Sequence, residues 1–241
     1  MDTVKICHPG IKMVAHRGAS ALERENTTAA FVAAGNRSYF GIETDVHRTA
    51  DGQLVIIHDN STGRVCAQDL PVEQSTLAEL RTLTLTDNHG LDTRGDLRLP
   101  TLEEYISVCK KYNKIAVLEL KNRMDEQTIL QVMQVLEDMG YTASTVVISF
   151  DLDNLLTVRR HFPWQHMQYL TGNIDDIPAL VKTLTENRLG LDIYHGAYTP
   201  ELAHTMHENG IEVNVWTVDT PEDAARVIAL GVDYITTNIL E

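Results

Sequence analysis

From residue 101 onward the chain alternates short apolar runs with amphipathic segments of helical length, and that alternation restricts its fold more than any other feature. Strands are expected over 115–121, 146–150, 166–170, 189–194, 213–218 and 234–237. Helices are expected over 101–112, 126–139, 178–186, 200–209 and 221–230, with another ending near Phe162. Thr101 followed three residues later by Glu104 is a capping-box pattern. A strand over 11–16 and an alanine-rich helix over 26–34, closed by Gly35, open the series. Strands that alternate with helices pair mainly in parallel. The number of units, the absence of a Gly-rich dinucleotide loop and the candidate functional residues at several strand ends favour a closed (β/α)8 TIM barrel over an open doubly wound sheet.

There is one strand-like run more than eight, and residues 41–59 explain it. Two β-rich runs flank Asp51-Gly52, a pair suited to a tight hairpin turn. The second run would lie antiparallel, distorting the barrel at its second strand. With a two-residue loop, Ala50 faces Gln53 and Asp45 falls opposite His58, with Cβ atoms about 5 Å apart. Alternation puts Glu43 and Asp45 on one face. Residues 60–100 break the pattern: 77–83 reads as a short helix, and Gly90, Gly95 and Pro100 punctuate a polar stretch. This is a small insertion, a lid or cap, within a single domain spanning 1–241. Residues 1–10 read as a loose lead-in.

Composition narrows the partners. A chain of 241 residues with 43% hydrophobic content has ample material for a core. Its net charge of -14 argues against nucleic acid, whose phosphates need clustered Lys and Arg. No apolar run approaches the length of a membrane span, so stable membrane insertion is not expected. The first residues lack a basic segment followed by an apolar one, so no signal peptide is expected. Cys7, Cys66 and Cys109 are odd in number and widely spaced, which suits a reducing cytoplasm.

The chemistry-bearing candidates sit at strand ends. Glu43 and Asp45 share a face of one strand. Glu119 shares a face with Val117 and Lys121 in the next, while Ala116, Leu118 and Leu120 point the other way, toward helices. Buried carboxylates repel one another and tend to protonate unless a cation compensates them. An all-oxygen set suits Mg2+ or Ca2+; three separate surface or salt-bridged acids are the plain alternative, with Lys121 one such partner. His16 and His58 close two strands near these acids, and an imidazole pair can supply general base and general acid. A lone strand-end histidine is more often structural. Arg17 can grip phosphate and Lys121 can offer a point charge, or both can form ordinary salt bridges. Trp216 walls a pocket or fills the core. His195, near another strand end, is a weaker pocket candidate.

The ordered set His16-Arg17-Gly18, Glu25-Asn26-Thr27, Glu43-Thr44-Asp45-Val46, Thr49-Ala50-Asp51-Gly52, Val55-Ile56-Ile57-His58-Asp59, Glu119-Leu120-Lys121, Ser149-Phe150 and Val215-Trp216-Thr217-Val218 resembles the glycerophosphodiester phosphodiesterase family. The resemblance runs from about Ile11 to the end. It implies a distorted TIM barrel with a small insertion over 60–100. It implies one divalent metal ion on Glu43, Asp45 and Glu119, an acid–base pair of His16 and His58, and phosphate contacts from Arg17 and Lys121. The implied substrate is a small glycerophosphodiester, cleaved to glycerol 3-phosphate and an alcohol. Related chemistry on a lysophospholipid or a sugar phosphodiester is an alternative, as is a non-catalytic phosphate-binding barrel. Arg24 stands where the family usually has proline, and the last strand ends Thr237-Asn238 instead of Thr-Asp. Asn26 either caps the following helix or supports the site.

Overall fold

The structure, a computed structural model, describes residues 2–88 and 94–241. Nine strands form one sheet: β1 (Lys12–Ala15), β2 (Gly41–Arg48), β3 (Leu54–Ile56), β4 (Ile115–Leu120), β5 (Thr145–Ser149), β6 (His166–Thr171), β7 (Gly190–Tyr194), β8 (Val213–Trp216) and β9 (Tyr234–Thr237). Their order is β1-β9-β8-β7-β6-β5-β4-β2-β3, and a parallel β1–β2 pairing closes the circle. Eight parallel strands thus make a TIM-type barrel, and β3 lies antiparallel on β2 outside it.

The helices of the described residues are α1 (Thr28–Gly35), α2 (Leu77–Leu80), α3 (Leu102–Tyr112), α4 (Glu126–Asp138), α5 (Leu152–His161), α6 (Ile177–Asn187), α7 (Pro200–Glu208) and α8 (Pro221–Ala229). Each starts where a Thr or Asp side chain accepts a free first-turn N–H: Thr27, Thr76, Thr101, Asp125, Asp151, Asp176, Thr199 and Thr220. Such a cap contributes about 1 kcal/mol. All but α2 connect consecutive barrel strands. Outward strand residues Ala116, Leu118 and Leu120 pack with Ile129, Val132 and Leu136 of α4. Inward residues Val14, Val117, Val146, Ile148, Leu170 and Tyr234 fill the barrel, so its centre is packed and the open space lies at the strands' C-terminal mouth.

The hairpin register differs by one residue from the expected one. Val46 pairs with Ile56, His47 with Val55 and Arg48 with Leu54. Thr49 therefore faces Gln53 across a loop one residue longer than expected. The Thr49 carbonyl accepts the Gly52 N–H at 3.0 Å, and Gly52 takes a φ of 79°, the turn-plus-left-handed-glycine geometry of longer hairpins. The Thr49 hydroxyl favours this loop: it donates to Asp51 Oδ1 at 2.6 Å and accepts the Gln53 N–H at 2.9 Å. Asp45 consequently meets Ile57, whose N–H donates to the Asp45 carbonyl at 3.1 Å. His58 is not paired across the ladder; it reaches the barrel mouth because the strand has already ended at Ile56.

Beyond the hairpin, Val65, Val72, Leu80, Leu83, Leu97 and Leu99 form a small apolar cluster on Val55 and Ile57. The expected helix over 77–83 is only the four-residue α2, and Gly90 lies outside the described residues. The lead-in is tied down: the Val4 N–H donates to the Ile239 carbonyl at 3.0 Å and the Ile6 N–H to that of Glu241 at 2.9 Å. No helix among the described residues is long and apolar enough to cross a membrane.

Candidate active site

Parallel pairing of β2 with β4 sets Asp45 beside Glu119, and Glu43 lies two residues earlier on the same face. One oxygen from each of the three carboxylates lies within 4.8 Å of the others. All three are buried, with Asp45 only 1% exposed. Burial, then the charge of Asp45, pushes the carboxyls of Glu43 and Glu119 well above the ordinary range. Asp45 goes the other way: burial would raise it, but Lys121 and Arg17 hold it below the usual carboxylate range. The Lys121 ammonium lies 2.9 Å from Glu119 Oε1 and 3.5 Å from Asp45 Oδ1. Thr27 caps α1, which frees Asn26 for the acid. Its Nδ2 donates to Asp45 Oδ2 at 2.8 Å and its Oδ1 accepts the Thr44 hydroxyl at 2.7 Å.

Asp45 Oδ1 is buried without a hydrogen-bond partner. An orphaned carboxylate oxygen beside two carboxyls of raised affinity for protons is what a bound cation would satisfy. The cluster could hold a metal ion, and its all-oxygen donors fit a hard divalent one.

The chain turns sharply after β1. Arg17 has φ 54° and Gly18 φ 80°. A left-handed conformation at a residue with a side chain costs about 1 kcal/mol or more. It aims the Arg17 N–H at Glu43 Oε2, 2.8 Å away, while Nη1 donates to Glu25 Oε1 at 2.8 Å. Arg17 Nε lies 3.8 Å from Asp45 Oδ2 and is otherwise unpartnered. His16 Nδ1 donates to Asn238 Oδ1 at 2.8 Å. The Asn238 amide is oriented by Asp219, whose Oδ2 accepts its Nδ2 at 2.6 Å. With the proton on Nδ1, His16 Nε2 keeps its lone pair. Burial, reinforced by Arg17, pushes the His16 imidazole down to about 4.

His58 Nδ1 donates to Asp59 Oδ1 at 2.6 Å. Burial lowers its affinity for protons, against the opposing charge of Asp45. Arg64, from the insertion, ties the two sides of the mouth together. Its Nε donates to Asp59 Oδ2 at 2.5 Å, and Nη1 and Nη2 donate to the two Glu25 oxygens at 2.7 Å each. Burial would raise Glu25, but Arg64 and then Arg17 hold it down to about 2. A continuous chain of charges therefore runs from His58 through Asp59, Arg64 and Glu25 to Arg17. Arg24, in the usual proline position, donates from Nη2 to the Asp87 carbonyl at 3.1 Å and so anchors the insertion beside this chain.

His16, Arg17, Glu43, His58, Glu119 and Trp216 line one cavity of about 170 Å³, together with Ile148, Phe150, Leu170, Asp192 and Thr236. Trp216 meets Phe150 edge to face, with centroids 5.7 Å apart. Asp45 lies in the carboxylate cluster behind this wall, and the Lys121 ammonium is turned onto the acids. His195 stays apart: its Nδ1 accepts from Arg226 Nη2 at 2.9 Å. Arg64 and Asp192 were not singled out from the sequence. Arg64 sits in a polar stretch without periodicity. Asp192 did leave a signal, as a lone acid alternating with Leu191 and Ile193.

The model of the Glycerophosphoryl diester phosphodiesterase family matches residues 16–241. The chain belongs to this family. It is therefore an enzyme of the phosphoric diester hydrolase class. YhdW of Bacillus subtilis is 31% identical over 243 residues, covering 94% of this chain and 93% of that relative. A glycerophosphodiester phosphodiesterase of Caldanaerobacter subterraneus subsp. tengcongensis is 29% identical over 232 residues, covering 94% of this chain and 93% of its own. A phosphodiesterase of Oleispira antarctica, solved in complex with the product sn-glycerol-3-phosphate, matches with a TM-score of 0.86 at 25% identity, covering 94% of this chain and 92% of that one.

Proposed function

We propose that this glycerophosphodiester phosphodiesterase hydrolyses glycerophosphodiesters to sn-glycerol 3-phosphate and an alcohol by acid–base catalysis between His16 and His58. The observation that carries this reading is the convergence of both imidazoles, Arg17, Glu43 and Glu119 on one cavity, with Asp45 completing the carboxylate cluster. Glu43, Asp45 and Glu119 would hold the divalent ion, Mg2+ or Ca2+, which when bound supplies Lewis-acid charge to phosphoryl oxygens. Arg17 lines the cavity, and its guanidinium would meet a non-bridging oxygen there. Lys121 keeps Asp45 ionised and adds positive potential beside the phosphoryl group.

The two histidines differ in their partners, and that difference supports giving them different roles. His16 leans on a neutral amide and stays unprotonated, so its Nε2 accepts the proton of the attacking water. His58 leans on the Asp59 carboxylate, which with Asp45 partly offsets the burial that lowers its proton affinity, so of the two it is the better placed to give a proton to the departing alkoxide. Trp216 and Phe150 wall the cavity against water. Cys66 and Cys109 are buried free thiols, in keeping with a reducing cytoplasm. The test is release of sn-glycerol 3-phosphate from a panel of glycerophosphodiesters, read through a coupled dehydrogenase. Activity confined to lysophospholipids, or none on any diester, would reject the proposal.

A further inference from the structure

One acid on the cavity wall has no part in the chemistry above. Asp192, in β7, lines the cavity among apolar and aromatic neighbours such as Ile148, Leu170 and Trp216. It is 2% exposed. Its Oδ2 accepts from Asn214 Nδ2 at 3.2 Å, and its Oδ1 is buried without any partner. Asn214 is itself held: its Oδ1 accepts the Thr236 hydroxyl at 3.1 Å, which turns its Nδ2 toward Asp192. Burial pushes the Asp192 carboxyl up to about 8, the Asn214 amide only partly offsetting it, and no cation steadies it among the described residues.

An unpaired buried carboxyl oxygen is costly unless something that binds there completes it. A second orphan belongs to another side chain of the same cavity wall. The Trp216 indole Nε1 is buried and unpartnered. Trp216 stands two residues beyond Asn214 on β8, hence on the same face of the strand. One orphan is a carboxyl oxygen and the other an N–H donor, both on side chains of the cavity wall. Of the groups on a phosphodiester, a carbon-bound hydroxyl is the one that both donates and accepts, so it can complete the carboxyl whether protonated or ionised, accept from an indole and tolerate apolar walls.

We propose that Asp192 is a specificity-determining residue that reads a free hydroxyl of the substrate's glycerol moiety, making the enzyme selective for polyol over plain alkyl phosphodiesters. This rests on the functional reading above and deepens it.

The test compares sn-glycerol 3-phosphate with propyl phosphate, which lacks both hydroxyls, as ligands measured by calorimetry with the divalent ion present. Wild type is expected to bind the glyceryl compound roughly 10–100-fold more tightly, the span of one or two hydrogen bonds to a charged or buried group. Asp192→Leu should lose that preference while binding propyl phosphate as wild type does. Asp192→Asn, which fits the same space and guards against a folding defect, should fall between the two. A preference unchanged in both variants overturns the proposal. So does parallel weakening of both ligands, which would mean that Asp192 only shapes the cavity, and so does a wild type that does not distinguish them. Turnover of glycerophosphodiesters by wild type, measured separately, tells failure of this proposal from failure of the functional reading.

Discussion

Replacing Arg64 with alanine cuts the link between Asp59 and Glu25 across the barrel mouth. The magnitude follows from Glu25. Its carboxyl is lowered from 4.5 to about 2, and at about 1.4 kcal/mol per unit that is on the order of 3 kcal/mol, shared between Arg64 and Arg17. Arg64 makes the foremost lowering contribution, but its side chain is 44% exposed, so screening reduces its share to about 1 kcal/mol. For a chain of this size that lowers the melting temperature by about 2–4 °C at neutral pH. The sign is fixed by linkage: a depressed folded pKa stabilises above the unfolded value, and the stabilisation is lost as pH falls through the folded one. The gap between wild type and variant should therefore shrink as the pH falls from 4.5 toward 2. Catalysis should suffer more than stability, because Asp59 and Glu25 lose their common anchor and His58 and Arg17 loosen together. A loss of about 1.4 kcal/mol in positioning is tenfold in kcat/KM. Arg64→Lys should recover only part of it, since an ammonium cannot span Asp59 and both Glu25 oxygens. The assay is steady-state hydrolysis beside thermal melts across pH. A folded Arg64→Ala enzyme with kcat/KM near wild type would refute the reasoning.

Other outcomes follow from the same geometry. His16→Ala and His58→Ala should each lower turnover by roughly 10²–10⁴-fold with little change in melting temperature; near-normal turnover in either removes that residue from the acid–base pair. The acid limb of kcat/KM should lie well below the ordinary histidine value of 6.5, since the His16 base is held down to about 4; a limb at or above the ordinary value would contradict its assignment. Gly18→Ala combines a left-handed backbone with a Cβ that meets Ala30 at 2.7 Å, and should destabilise by about 2–4 kcal/mol. An unchanged melting temperature would show that the turn after β1 is not fixed as described.

Much of the architecture was readable because helix starts are locally encoded. Thr101 with Glu104, and Pro200 or Pro221 behind a threonine, mark their helices without reference to the rest of the chain. The inner and outer faces of β4 were likewise readable from alternation alone. The hairpin register was not, because it turns on a single hydroxyl: Thr49 bonding Asp51 and the Gln53 N–H favours a longer loop, and Asp51-Gly52 occurs in both loop lengths. His58 was placed with the right neighbours for the wrong local reason. Arg64 was hidden because its partners, Asp59 and Glu25, lie on different segments and nothing periodic surrounds it. Asp192 stood on the inner face of β7 by alternation, yet an isolated acid carries little meaning until the cavity around it is seen.

The most direct measurement is divalent-ion binding by wild type and Glu119→Gln, with hydrolysis followed through chelation and readdition of Mg2+ or Ca2+. Wild type should bind one ion per chain, fall silent in chelator and recover with the ion, while Glu119→Gln should bind it far more weakly and stay inactive. Undiminished turnover in excess chelator, or wild-type ion affinity in Glu119→Gln, would contradict a metal centre built from Glu43, Asp45 and Glu119.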